Sequence, residues 1–178
     1  MQNFKNIFLS IAAIVIFVLL KFWYSDSSNE DVLFLLKPIN QLVNIATGSD
    51  SVFKPEIGYI NENLNIIINK ICSGFNFLLI VFLMLTFLLI KHFPQDKRMF
   101  LILPLALVFS YGFTILVTVS RILLQVVTNG IYQAESIYVH QVEGTFMYVC
   151  CLMMLYLSVD YFLKNKFRFA IIWKNKNE

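Results

Sequence analysis

Long apolar runs alternate along this chain with short polar interruptions. Residues 7–20 are apolar apart from Ser10, and Lys21-Phe22-Trp23-Tyr24 follow directly. Further runs cover 74–90, 99–120 and 142–163. A helix needs about 17 to 25 mainly apolar residues to cross a bilayer, so the pattern predicts four spans, near 7–24, 74–90, 99–120 and 142–163. Between the first two spans the pattern changes. Positions 32–47 have helical spacing around Pro38, which predicts a kinked helix lying on or dipping into the membrane interface. Thr47-Gly48-Ser49-Asp50-Ser51 and Lys54-Pro55-Glu56-Ile57-Gly58 are turn signals. From Tyr59 onward, Ile60, Leu64, Ile67, Ile68 and Ile71 share one helical face, with Asn61, Glu62, Asn65, Asn69 and Lys70 opposite. This predicts an amphipathic helix that delivers Cys72 to the mouth of the second span. Residues 91–98 form a polar turn, 121–139 a connector with a Thr128-Asn129-Gly130 turn, and 164–178 a basic tail.

Composition strengthens this picture. Of 178 residues, 58% are hydrophobic and 14% charged, against about 45–50% and about 25% in soluble domains. The expected fold class is an all-α polytopic integral membrane protein. It forms one membrane-embedded domain over 1–178, with an outer-surface amphipathic helical segment at 26–71. The bulky aromatic flank after the first run offers no small-residue cleavage site, so that run is expected to stay as a transmembrane helix. Charge then sets the sides. Lys5, Lys91, Lys97, Arg98, Lys164, Lys166, Arg168, Lys174 and Lys176 fall on one side of four spans, while the cations on the other side are diluted by most of the acids. The positive-inside rule places both termini in the cytoplasm. Cys72, Arg121 and His140 then share the outer face.

These three residues are the candidate chemistry. Cys150 and Cys151 are adjacent within an apolar run, which leaves Cys72 as a free thiol. No cysteine pair sits on the outer face, which argues against a thiol oxidoreductase. Cys72 can be a small packing residue or a nucleophile whose thiol is activated by the free N–H groups of a helix start. His140 can be an interfacial hydrogen-bonding residue or a general base, and Gly144 one turn on leaves room beside its ring. Arg121 can be a snorkelling anchor or a fixed cation that stabilises an oxyanion. Glu135 and Glu143 are possible partners for Arg121. His92 reads as a solvated loop residue, Cys150 and Cys151 as packing residues, and Asp160 as a partner for Lys164. No residue set suggests a metal, a nucleotide, another cofactor or nucleic acid.

Taken together, Cys72-Ser73-Gly74 at one span mouth, Arg121 at the next span end and His140-x-x-x-Gly144 opening the last resemble the exosortase/archaeosortase family, most closely its short K type. The resemblance covers about residues 60–160. Thr118 stands where the family often has an Asn that positions its Arg. The resemblance implies a membrane-embedded cysteine protease or transpeptidase, with Cys72 as nucleophile, His140 as acid and base, and Arg121 as oxyanion stabiliser. It also implies exported protein substrates carrying a C-terminal motif, a transmembrane helix and a basic end. The implied location is the bacterial cytoplasmic (inner) membrane. The rival expectation is a non-enzymatic membrane assembly or binding subunit that holds an anionic group at Arg121.

Overall fold

The computed structural model describes the backbone of residues 2–92, 101–131 and 137–176, and the side chains of 6–92, 101–127 and 144–165. Its order is α1 (Gln2–Asp26), α2 (Leu33–Thr47), β1 (Val52–Lys54), β2 (Gly58–Asn61), β3 (Ile66–Ile68), a 3-10 turn (Lys70–Ser73), α3 (Phe75–His92), α4 (Ile102–Ile131) and α5 (Ile137–Lys176). Four segments are long and apolar enough to cross a membrane: Asn6–Asp26, Lys70–His92, Ile102–Val127 and Gly144–Asn165. The molecule is an all-α, multi-pass membrane protein.

α3 is the central helix. It packs against α1, α4 and α5 and buries Phe75, Phe77, Leu78, Leu79, Val81 and Phe82. A bilayer supplies no hydrophobic drive between helices, so close packing and polar contacts must hold them together. Hydroxyl groups within the spans are mostly satisfied inside their own helix: Ser10 donates to the Asn6 carbonyl at 2.9 Å, Thr86 to Phe82 at 2.8 Å and Ser120 to Leu116 at 2.9 Å.

α2 does more than lie on the surface. Leu35, Leu36, Ile39 and Val43 are fully buried against a cluster that includes Phe75, Leu78, Ile115 and Ile122. Pro38 sits inside α2. It has no N–H to give the carbonyl four residues back, that of Phe34. The Tyr111 hydroxyl of α4 donates to that carbonyl instead, at 2.7 Å. The gap left by a helix-interior proline thus becomes the polar link between α2 and the bundle.

The amphipathic helix expected from Tyr59 is not present. That stretch belongs to a three-stranded antiparallel sheet of order β1-β2-β3. Ile60 pairs with Val52 on one side and with Ile67 on the other. Two local features override the helical spacing. Asn61 Oδ1 accepts from Leu64 N at 3.1 Å and Asn65 takes a positive φ of 51°, which turns the chain between β2 and β3. The three isoleucines of β3 are then buried, exposed and buried, the period of a strand, which β-branched side chains favour. The sheet joins α2 through Asn61 Nδ2 to Ser49 Oγ (2.7 Å) and Ser51 Oγ to Asn40 Oδ1 (2.8 Å).

Three other boundaries also move. α4 does not end before Arg121: Ile122 is buried and Val126 packs on the same cluster, so the helix continues through the Thr128-Asn129-Gly130 sequence expected to turn. Lys164–Lys176 continues α5 as helix rather than forming a separate tail. His92 ends α3 and is only 10% exposed, with Nε2 3.2 Å from Asp160. Asp160 also pairs with Lys164 at 2.6 Å, as expected. His92 was expected to be solvated; apposition of α3 and α5 gives it a partner. The polar turn expected over 91–98 falls mostly outside the described residues.

Candidate functional site

One end of the bundle gathers the C-terminus of α1, the 3-10 turn, the second half of α4 and the start of α5. The turn carrying Cys72 is fastened from two sides. From within, Asn69 caps it: Oδ1 accepts from Ile71 N (3.1 Å) and Cys72 N (3.4 Å), and Cys72 N also donates to the Asn69 carbonyl at 2.9 Å. From α1, the Tyr24 hydroxyl donates to the Lys70 carbonyl at 2.7 Å. The Tyr24 ring stacks on Phe75 with centroids 4.5 Å apart. Lys70 Nζ reaches back to the carbonyls of Ser25 (3.0 Å) and Ser27 (2.7 Å), where a cation complements the negative end of α1.

Cys72 itself is half-buried, its thiol is free of disulfides, and it packs against the α2–α3–α4 cluster. It lies before α3 rather than in its first turn, with Gly74 between. The expectation of free helix-start N–H groups beside the thiol therefore needs correcting. The N–H groups of Ile71 and Cys72 are engaged by Asn69, and that of Phe75 by Ser73 Oγ at 3.3 Å. Those three cannot also cradle an oxyanion without giving up a partner.

Gly74 explains how the turn meets the other helices. Its φ of +70° lies in the left-handed region, and there is no room for a side chain. A Cβ there would crowd Thr118 Oγ1 and lie 3.2 Å from Thr114 Cγ2 and 3.3 Å from the Tyr148 hydroxyl. Thr114 and Thr118 belong to α4 and Tyr148 to α5. Gly74 is thus the point where the Cys72 turn touches both.

Arg121 sits one turn beyond Thr118, partly buried. Its Nη1 donates to the Tyr148 hydroxyl at 3.2 Å, and that hydroxyl is 3.3 Å from Thr118 Oγ1. The guanidinium also lies over the Tyr148 ring, 5.2 Å from its centroid. Phe77 stacks on the same ring at 4.6 Å. Gly144 supplies the space, since a Cβ there would meet Arg121 Cζ at 2.9 Å and Nη2 at 3.0 Å. The room at Gly144, expected to serve His140, is occupied by Arg121. Among the described residues, no carboxylate pairs with Arg121, and its hydrogen bond goes to the Tyr148 hydroxyl.

His140 lies in α5, one helical turn before Gly144, and its side chain is outside the described residues, as are Glu135 and Glu143. Cys150 and Cys151 are half-buried within the span, and Cys151 packs in the α3–α5 core. Beside the site, a lateral cleft of about 300 Å³ runs down between α3 and α5. Its head is formed by Ile71, Gly74 and Tyr148, and its foot by Ile80 and Leu152.

Sequence reading missed Tyr148 altogether. The available signal was a tyrosine four residues after Gly144, hence on the same helical face, in an otherwise apolar stretch. In comparisons with protein-family models, curated proteins and solved structures, nothing matches this chain.

Proposed function

We propose that this protein is a membrane-embedded cysteine transpeptidase or protease that acts at the outer membrane surface on the C-terminal sorting signals of exported proteins. The observation that carries this reading is the role of the two glycines. Gly74 follows Cys72-Ser73 and touches Thr118 and Tyr148; Gly144 follows His140 and touches Arg121. Three motifs far apart in sequence thus meet through residues whose missing side chains permit contact. A bundle needing only apolar packing has no reason to keep an arginine there, because a cation within a span is costly.

In this reading the Cys72 thiolate attacks the scissile carbonyl and the oxyanion forms opposite the Arg121 guanidinium. His140 protonates the departing amine as the C–N bond breaks, leaving a thioester on Cys72. An acceptor amine or water then gives His140 a proton, adds to the thioester carbonyl and releases the thiolate. The cleft between α3 and α5 gives a substrate anchored by one helix a lateral approach at the level of Cys72. Both termini are cytoplasmic in this arrangement.

The test is the pH dependence of Cys72 labelling by a membrane-impermeant maleimide, read by peptide mapping in wild type and His140→Ala. The expected result is outward labelling well below the ordinary thiol pKa of about 8.5, shifted upward in the variant. An ordinary profile indifferent to His140 overturns the enzyme reading. It would leave the second one, a binding subunit whose Arg121, lacking a carboxylate partner among the described residues, holds an anionic group.

A further inference from the structure

We infer that Tyr148 is the positioning residue of this site: it aims the Arg121 guanidinium and keeps its charge available to the Cys72 turn. The inference rests on the proposed function and adds to it a residue that none of the three motifs contains. Four residues bear on one phenol. Its oxygen accepts from Arg121 Nη1 at 3.2 Å and lies 3.3 Å from Thr118 Oγ1. Its ring stacks on Phe77 at 4.6 Å and supports the guanidinium 5.2 Å from its centroid. Gly74 brings the chain two residues after Cys72 against that same oxygen, where a Cβ would lie 3.3 Å away.

The chemical choice of partner matters. A phenol that accepts from Arg121 keeps a second hydrogen-bonding direction, and Thr118 Oγ1 meets it at 3.3 Å. The hydroxyl is thereby oriented with its lone pair toward the guanidinium. A carboxylate at the same place would hold Arg121 more firmly but cancel its charge. A phenol fixes the direction without itself neutralising the guanidinium. Thr118 acts one step further back, as the group that turns the phenol.

The experiment compares Cys72 modification by two methanethiosulfonates of equal reach and opposite charge, sulfonatoethyl and trimethylammonioethyl, in membranes of the full-length protein. The ratio of anionic to cationic rates cancels changes in accessibility and in thiolate fraction, which a purely structural role would move. The two reagents differ by two unit charges, so one nearby fixed charge acting through a partly aqueous medium changes such a ratio on the order of ten-fold. Arg121→Ala is expected to lower the ratio by that amount. Tyr148→Phe, which keeps the ring and its stacking, lowers it several-fold, and Tyr148→Glu lowers it as far as Arg121→Ala. In the Arg121→Ala background Tyr148→Phe has no further effect. If Tyr148→Glu does not insert, Thr118→Val is the replacement and shares the expectation for Tyr148→Phe. A wild-type ratio in the Tyr148 and Thr118 variants, with a lowered one in Arg121→Ala, overturns the inference and leaves the proposed function in place. A ratio that Arg121→Ala does not move overturns it as well. Failure of the enzyme reading is seen separately, in the His140-dependent pH profile.

Discussion

Replacing Gly74 with alanine tests whether the Cys72 turn is locked against α4 and α5. Two costs combine. The first is conformational: φ is +70°, and a left-handed residue with a Cβ costs about 1 to 2 kcal/mol. The second is steric. The new methyl would crowd Thr118 Oγ1 and lie 3.2 Å from Thr114 Cγ2, and both neighbours are β-branched residues with little rotamer freedom in a helix. Overpacking of this kind costs about 1 to 3 kcal/mol. Together these predict a loss of roughly 2 to 4 kcal/mol, since partial relaxation of Tyr148 offsets some of the steric cost. Two glycines serve as controls. Gly48 also has positive φ, +65°, but nothing within 4 Å, so Gly48→Ala isolates the conformational cost of about 1 kcal/mol. Gly112 is helical with open space around it, so Gly112→Ala should be neutral or gain up to about 1 kcal/mol. The assay is unfolding in mixed detergent micelles by titrated dodecyl sulfate, followed by far-ultraviolet circular dichroism. A Gly74→Ala variant no less stable than Gly48→Ala would show that the turn is not packed against α4 and α5, and the site as described would fall.

Gly144→Ala should behave differently: its neighbour is the far end of a flexible arginine, so stability changes by less than about 1 kcal/mol. The guanidinium is displaced from Tyr148, however, and the anionic-to-cationic modification ratio at Cys72 should drop toward that of Arg121→Ala. Asn69→Ala removes the cap from Ile71 and Cys72 and should cost about 1 kcal/mol in the same unfolding assay; an unchanged midpoint would mean the turn is held by α1 alone. Asp31 accepts from the Ser28 N–H at 2.7 Å and the Ser28 hydroxyl at 2.9 Å, which hold its carboxyl below the usual aspartate value. Because the folded form is the stronger acid, this contribution is complete above the unfolded value of about 3.9 and is lost as pH falls further. Asp31→Asn should therefore flatten the acid limb of the stability profile and leave it unchanged in shape near neutrality.

The spans could be read directly because each is a local property. A run of about 20 apolar residues must be helical in lipid, whatever surrounds it, since every backbone group has to be satisfied within the segment. Cys72 and Arg121 could be singled out in the same way, as polar residues at apolar boundaries. The pairing of Asp160 with Lys164 follows from one helical turn of separation and was equally legible. The segment between Tyr59 and Ile71 was not. Its isoleucines fit a helical face and a strand alternation alike, and the turn at Asn65 together with the pairing to β1 decided between them. The end of α4 was hidden for a related reason: Arg121 looks like a boundary until Ile122 and Val126 are seen packed on the α2–α3–α4 cluster. Tyr148 and the Phe34 carbonyl acquired their roles only from neighbours on other helices, at distances no spacing along the chain encodes. The sequence by itself determined which segments enter the membrane and which residues are chemically out of place there. Tertiary packing decided which of those residues meet, because contact between helices depends on where a side chain is missing as much as on where one is present.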